Sequence, residues 1–345
     1  MVSPSPFTPL KIIRHPEVLA AIAQGRTPAP VTVEVDPTNR CNQNCVWCMY
    51  EDFRHQVREE LPEPYLDQLM DELATMGVKA VVFSGGGEPL VHRGCLSAIG
   101  KAHALGLEVA LVTNGQLLNP EAGKVVARCC AWVRISLDAA TALTYRVCHR
   151  VDGFEEVVAN LRALARAKKD QASALTIGAG FLVHPRNYRE IYAAAQLAKD
   201  CGADYIQFRP VYEPGFALDG QVLHSCQTQL ELTQRELESD SFRLYYSLDR
   251  FTPRDREYNH CLACRVVGII AADMKMYICC QLKGDPRFCI GDLKQRSFTE
   301  TWNDCDAHNA CRQVDVARCP PCRYDGSNKI LNYLVAQEPA NVNFL

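Results

Sequence analysis

Six short apolar runs, each followed by an amphipathic stretch, restrict this chain more than any other feature. The runs lie at Val31–Val35, Ala80–Phe83, Glu108–Thr113, Trp132–Leu137, Leu175–Val183 and Tyr205–Arg209. Their length and composition predict buried strands. Helices are predicted between them at Glu63–Met76, Gly94–Leu105, Pro120–Arg128, Phe154–Lys168 and Asn187–Cys201. Leu66, Leu69, Met70 and Leu73 fall on one face of the first helix, the side a sheet would cover. Parallel strands need long crossovers, so this alternation predicts an α/β fold with a parallel sheet or barrel. Past Pro210 the pattern weakens: Gln227–Leu237 reads as a helix and the remainder up to Asn259 as loop and bridging structure.

The chemistry-bearing residues fall at the C-terminal ends of the predicted strands. Cys41, Cys45 and Cys48 (C-x3-C-x2-C) follow strand one, and Ser84-Gly85-Gly86-Gly87-Glu88 follows strand two. Thr113-Asn114-Gly115 follows strand three, Ser136 and Asp138 end strand four, His184 follows strand five and Arg209 ends strand six. Active sites of α/β barrels gather on that face. Asn-Gly and glycine runs are also ordinary turn chemistry, and Ser or Asp at a strand end also suits a helix cap. Three thiolates on one loop suit three irons of a [4Fe–4S] cube, leaving the fourth iron open; zinc would lack a ligand. The glycine run lacks the Lys-Ser/Thr of a phosphate loop.

The run Cys41-Asn-Gln-Asn-Cys45-Val-Trp47-Cys48 resembles the C-x3-C-aromatic-C signature of the radical S-adenosylmethionine (radical SAM) superfamily. Phe83–Leu90 resembles the family's GGE segment, and Arg134–Asp138 its fourth-strand ribose segment. The resemblance spans roughly residues 31–210 and implies a partial (β/α)6 TIM-like barrel. It also implies that Cys41, Cys45 and Cys48 hold a [4Fe–4S] cluster whose open iron binds S-adenosylmethionine. Gly85, Gly86, Gly87 and Glu88 would then meet the cofactor's amine, Asn114 would line the cofactor site, and Ser136 and Asp138 would meet the ribose. Trp47 would pack near cluster or adenine, and Arg209 would face the cofactor carboxylate or a substrate anion. His184 and Glu213, with Tyr212, are mouth candidates for substrate contact or general-base chemistry, although a solvated Glu is the commoner case.

A second cysteine-rich region closes the chain: nine of the 18 cysteines lie between Cys261 and Cys322. Cys261, Cys279 and the pair Cys319-Pro-Pro-Cys322 resemble the SPASM/twitch extension, a small Cys-rich α+β unit that carries an auxiliary [4Fe–4S] cluster. One such cluster is expected, with Cys264 as a substitute for Cys261; a four-cysteine zinc site is the alternative. The hairpin between them has Met274-Lys275 where the extension usually has glycine, which puts that turn in question. Cys95, Cys129, Cys130, Cys148, Cys201 and Cys226 read as small buried apolar residues. His149, His224 and His260 show no ligand spacing and read as structural. The expected organisation is an N-terminal extension (1–30), a radical SAM barrel (31–210), a bridging region (211–259) and an auxiliary-cluster domain (260–345).

A net charge of −3 gives no basic footprint for nucleic acid, and no apolar run reaches the length of a membrane span. Cysteine, 18 of 345 residues or about 5%, is below the level of a disulfide scaffold. With no recognisable export signal, the expected location is the cytoplasm. The resemblance implies an oxidoreductase-like enzyme whose 5′-deoxyadenosyl radical abstracts hydrogen, with a flavodoxin- or ferredoxin-type reductant. The N-terminal 30 residues are short for a leader-peptide domain. A small hydroxylated metabolite (sugar, aminocyclitol or nucleoside) undergoing dehydrogenation or epimerisation is therefore the expected substrate. The alternatives are a peptide- or protein-modifying maturase, a decarboxylase or dehydratase of a sugar nucleoside, and a non-enzymatic iron–sulfur carrier or regulator.

Overall fold

All six apolar runs form strands in the structure, a computed structural model. It describes residues 5–336 except 57, 212–217, 249–255, 305–310, 312, 320 and 321. The strands are β1 (Thr32–Val35), β2 (Ala80–Phe83), β3 (Glu108–Thr113), β4 (Trp132–Ser136), β5 (Thr176–Val183) and β6 (Tyr205–Pro210). They pair in parallel in sequence order, as helical crossovers dictate. Side chains alternate between the two faces. Val33, Phe83, Leu111, Ile135, Ala179 and Phe208 are fully buried on the face that belongs to the main core. Glu34, Val82, Ala110, Arg134, Gln207 and Arg209 line a cavity of about 1760 Å³ inside the curved sheet. The barrel is thus filled on one face only, and the other holds polar groups around open space.

Two short helices before and after β1 are α1 (Pro16–Ala23) and α2 (Glu51–Gln56). The expected helices are α3 (Glu63–Met76), α4 (Cys95–Ala104), α5 (Pro120–Cys129), α7 (Phe154–Asp170) and α8 (Ile191–Asp200). All four leucine and methionine positions of the α3 face are buried, and Gly77, in the left-handed conformation at φ 86°, ends the helix. Neighbouring helices pack α3 on α4, α4 on α5 and α5 on α7. Helix α6 (Ala142–His149) was not anticipated. Thr141 caps its start, accepting from the Thr144 N–H at 3.3 Å, and its apolar spacing is weak. Helix α9 (Gly220–Leu237) contains the expected Gln227–Leu237 and begins a full two turns earlier, capped by Asp219.

Strands β7 (Arg243–Tyr246) and β8 (Val267–Ile270) differ from the reading of the sequence. Arg243–Tyr246, expected as loop, is an edge strand held on one side by β6, so it needs no continuous apolar run. Val267–Ile270 pairs in parallel with β1 on its other side. The barrel sheet therefore continues into the cysteine-rich region, where β9 (Lys275–Tyr277) and β10 (Cys289–Asp292) complete an antiparallel meander. The β8–β9 turn forms without glycine: Met274 takes φ 59° itself, and its N–H donates to Ala271 O at 3.0 Å. Asp273 braces the turn, accepting from the Lys275 N–H at 3.2 Å and the Tyr277 hydroxyl at 2.7 Å.

Helix α10 (Phe298–Asn303) opens with a Ser297/Glu300 capping box and buries Phe298 and Trp302. The last helix, α11 (Asp325–Val335), carries buried Asn328. Its side-chain oxygen accepts from the Leu262 and Ala263 N–H groups, both at 2.8 Å, which ties the chain after Cys261 to the chain after Cys322. Among the described residues no helix is long and apolar enough to cross a membrane.

Candidate active site

The loop after β1 is held by its neighbours rather than by regular structure of its own. Asn44 and Val46 donate their N–H groups to His149 O (3.1 Å) and Cys148 O (2.9 Å), so the end of α6 anchors one flank. On the other flank, the Gly87 N–H donates to Thr38 O (3.0 Å) and the Glu88 N–H to Arg40 O (2.9 Å). A Cβ at Gly87 would lie 2.1 Å from Arg40 O, and one at Gly86 would lie 2.3 Å from Asn39 Oδ1. The glycines are required here for loop-on-loop contact, a reason the sequence could not distinguish from close approach to a ligand.

Cys41, Cys45 and Cys48 are all half-buried. Each sulfur has a nitrogen beside it. Asn114 Nδ2 lies 4.0 Å from Cys41 Sγ, His149 Nδ1 3.1 Å from Cys45 Sγ, and Arg54 Nη1 3.9 Å from Cys48 Sγ. Cys45 also lies 3.8 Å from Gln43 Oε1. Burial pushes the Cys41 and Cys45 thiols up, with Asp138 adding to the effect on Cys45. The Asn114 and Arg54 donors beside Cys41 and Cys48 suit thiolates that ligate a cluster, whose potential such hydrogen bonds set. Neutral His149, with Nε2 toward Leu137 O and Asp138, instead turns Nδ1 to the Cys45 thiol as an acceptor.

Glu88 is buried and already engaged. Oε1 accepts from the Thr113 hydroxyl (2.6 Å) and the Leu90 N–H (3.1 Å), and Oε2 from the Asn114 N–H (2.7 Å). Burial raises its pKa against the pull of these donors. A carboxylate oxygen accepts two hydrogen bonds in its plane, so Oε2 keeps room for one more donor. Asn114 is buried too, donating from Nδ2 to Asn42 Oδ1 at 2.7 Å. The structure therefore brings the cysteine loop, the glycine loop and Thr113-Asn114 together at one end of the sheet.

Ser136 shares a face of β4 with Arg134 and lies opposite Gly180, whose missing side chain leaves room that the Arg134 side chain borders. Asp138 does not share that face. Its backbone has φ 55°, Oδ1 accepts from the Leu182 N–H at 2.6 Å, and Oδ2 lies 3.6 Å from His149 Nε2. Burial lifts its carboxyl to about 7 and lowers the His149 imidazole to about 4. His149, expected to be structural, thus stands between Asp138 and Cys45, an adjacency that only the packing of α6 creates. Arg209 lines the cavity with Arg134, close enough to Asp138 and Tyr205 to affect both. Burial lowers the pKa of Arg134. Trp47 and His184 pack against each other, ring centroids 5.2 Å apart, joining the cysteine loop to the end of β5. Glu213 and Tyr212 lie outside the described residues.

Cys261, Cys279, Cys319 and Cys322 line one small cavity under β8, with Cys264 and Tyr324. Nitrogen donors face these sulfurs as well: Asn328 Nδ2 at 3.9 Å for Cys261, the Gln281 N–H at 3.5 Å for Cys279 and the Tyr324 N–H at 3.3 Å for Cys322. Arg256 hydrogen-bonds Cys319. The Cys264 thiol lies 3.0 Å from Cys261 O, and hydrogen bonding from Cys264 holds Cys261 below the usual thiol range. Cys280 does the same for Cys279. Among the described residues no three such side chains converge as the ligands of a single ion do. The four sulfurs share one cavity, which is the proximity a common four-thiolate site needs. Cys95, Cys129, Cys130, Cys148, Cys201 and Cys226 are all buried.

A parallel partial barrel with a three-cysteine loop at its C-terminal end defines a class, and the comparisons with known proteins agree: residues 35–198 match the Radical SAM superfamily. The chain thus carries a radical SAM domain, whose cofactors are a [4Fe–4S] cluster with S-adenosylmethionine, followed by a cysteine-rich C-terminal region. It is similar to the PqqA peptide cyclase of Ruegeria pomeroyi, 26% identical over 299 residues, 84% of this chain and 78% of that protein. It is 31% identical to the AdoMet-dependent heme synthase of Methanosarcina barkeri over 179 residues, 51% of this chain and 49% of that protein. Among solved structures, Streptococcus suis SuiB bound to the precursor peptide SuiA superposes with a TM-score of 0.66 at 14% identity, covering 99% of this chain and 79% of SuiB.

These relatives overturn the expected small hydroxylated metabolite. A match over 84% of the chain is longer than the barrel and reaches into the cysteine-rich region, and the protein matched there is a peptide cyclase. The metabolite reading rested on the shortness of the segment before β1 and on the expectation of a single auxiliary cluster. That segment, short as it is, lines the cavity inside the sheet with Phe7, Thr8 and Lys11, together with the strands and Tyr324, so its shortness does not argue for a small substrate.

Proposed function

We propose that this enzyme modifies a peptide, abstracting hydrogen from a residue that enters the barrel and leaving the product oxidised, as in a ring or cross-link. The observation that carries this reading is the likeness to a peptide cyclase over 84% of the chain. The heme synthase likeness spans 179 residues, about the length of the barrel alone, and is explained by the shared barrel.

The roles follow from position. Cys41, Cys45 and Cys48 hold the catalytic cluster; Cys261, Cys279, Cys319 and Cys322 hold the auxiliary one. When bound, the first supplies the electron that cleaves S-adenosylmethionine to a 5′-deoxyadenosyl radical, and the second is a site able to accept one. Glu88 Oε2 offers its remaining lone pair to the cofactor's ammonium, with Gly85–Gly87 and Asn114 forming the wall beside it. Ser136 faces the ribose, and Arg209 the carboxylate of cofactor or substrate. Asp138 orients His149 against Cys45. Trp47 and His184 brace the cysteine loop against the end of β5. Ring closure removes two hydrogens: one leaves as an atom to the radical, the other as a proton and an electron.

The test is anaerobic incubation of the reconstituted enzyme with S-adenosylmethionine, dithionite and short peptides encoded beside its gene, read by mass spectrometry. A peptide lighter by two hydrogens, formed with 5′-deoxyadenosine, is the expected product. Peptides that all return unchanged, with no effect on 5′-deoxyadenosine formation, would refute a peptide substrate.

A further inference from the structure

One buried charge sits between the two cysteine sites and belongs to neither. Lys283, four residues after Cys279, is 2% exposed at its side chain, and its Nζ is ion-paired with Asp36, 1% exposed. Asp36 directly follows β1 and also accepts the Gly86 N–H at 3.1 Å, so the pair reaches the glycine loop of the cofactor site. The same Nζ lies 4.0 Å from the ring centroid of Tyr50, two residues after Cys48. The Tyr50 hydroxyl is enclosed, with Cys280, Asp36, Cys279 and Cys48 as its charged or ionisable neighbours. Gly284, at φ 86°, completes the fit: a Cβ there would lie 2.6 Å from the Phe53 ring of α2. Lys283 is thereby fixed against the helix that leaves the first cysteine loop.

A buried ion pair rarely repays its desolvation through stability alone, so folding energy is a weak reason for this one. Lys283 is a charged neighbour of both Cys279 and Cys280, and Asp36 acts on Cys280 more weakly. The pair therefore does not cancel on that side of the cavity, and the ammonium has a direct effect on a cluster held there. It favours the reduced, more negative state, and little solvent is present to screen it. We propose that Lys283 is a positioning residue that raises the reduction potential of the auxiliary cluster, an inference that rests on the assignment of Cys261, Cys279, Cys319 and Cys322 as that cluster's ligands.

The test is an EPR-monitored redox titration of the reconstituted protein and its Lys283→Met and Lys283→Arg variants. Lys283→Met is expected to disfavour reduction of the auxiliary cluster at least tenfold, a drop of about 59 mV for a one-electron couple, while Lys283→Arg stays near wild type. An unchanged potential in fully loaded Lys283→Met overturns the proposal, and so does an equal drop in Lys283→Arg, because the charge is retained there. If Lys283→Met loses auxiliary iron, Asp36→Asn/Lys283→Met, which leaves no unpaired charge, takes its place; a smaller drop is expected there because Asp36's opposing charge goes too, and an unchanged or raised potential overturns the proposal. Loss of that iron in the double variant would make Lys283 an assembly residue and also overturn the proposal. Wild-type protein that binds only the catalytic cluster fails at the ligand assignment, before any variant is compared, and removes this inference with it.

Discussion

Gly87→Ala tests whether the glycine loop and the cysteine loop form one unit. The new Cβ would lie 2.1 Å from Arg40 O and 2.7 Å from both Arg40 C and Asn39 C, all backbone atoms. No flexible side-chain end is available to move aside, so the loops must part by about 1 Å to restore ordinary contact. Parting strains the Gly87-to-Thr38 and Glu88-to-Arg40 hydrogen bonds, at 3.0 and 2.9 Å. Each is worth about 1 kcal/mol net, and crowding adds about 1–3 kcal/mol, giving a loss of about 3–5 kcal/mol. A shift of about 1 Å at a reacting site also costs about 100-fold in rate. The assays are the urea midpoint and anaerobic 5′-deoxyadenosine formation. Gly100→Ala is the control: it lies inside α4 with nothing within 4 Å of its Cβ, and should gain about 0.5–1 kcal/mol. Gly87→Ala with a wild-type midpoint and cleavage within about threefold of wild type would refute the argument.

Cys45→Ala removes a cluster ligand and should abolish S-adenosylmethionine cleavage; full 5′-deoxyadenosine formation would rule out its assigned role. Loss of Cys319 and Cys322 should cut bound iron from about eight to about four per chain and spare basal cleavage while blocking net oxidation of substrate; iron analysis and product mass check both halves. Asp138 is expected to weaken the cluster-free fold as pH rises. Its folded carboxyl titrates near 7 against about 4 unfolded, so the folded state binds the extra proton between those values and stability falls from about pH 4 to 7. Asp138→Asn should flatten that slope in denaturant titrations, and an unchanged slope would contradict it. Met274→Gly relieves a left-handed side-chain position and should raise the urea midpoint by the equivalent of about 0.5–1 kcal/mol; a lower midpoint would mean that Met274 packing outweighs its backbone strain.

The sequence determined the six strands, most of their helices and the end of the sheet at which the cofactor chemistry gathers. Each rests on short-range periodicity: apolar runs of strand length, turn residues after them, and three cysteines within eight positions. Cys261, Cys279, Cys319 and Cys322 were legible as a set through family resemblance, although 61 residues separate the first from the last. Tertiary structure alone decided what touches these groups. His149 reaches Cys45 because α6 packs its C-terminal end against the cysteine loop, and Lys283 reaches Asp36 and Tyr50 across more than 230 positions of chain. The edge strand β7 and the pairing of β8 with β1 escaped for the same reason: a strand recruited by an existing sheet edge needs little pattern of its own. Periodicity reports how a segment meets the core; it does not report which distant side chain fills the space beside a buried sulfur, because that depends on how the elements pack.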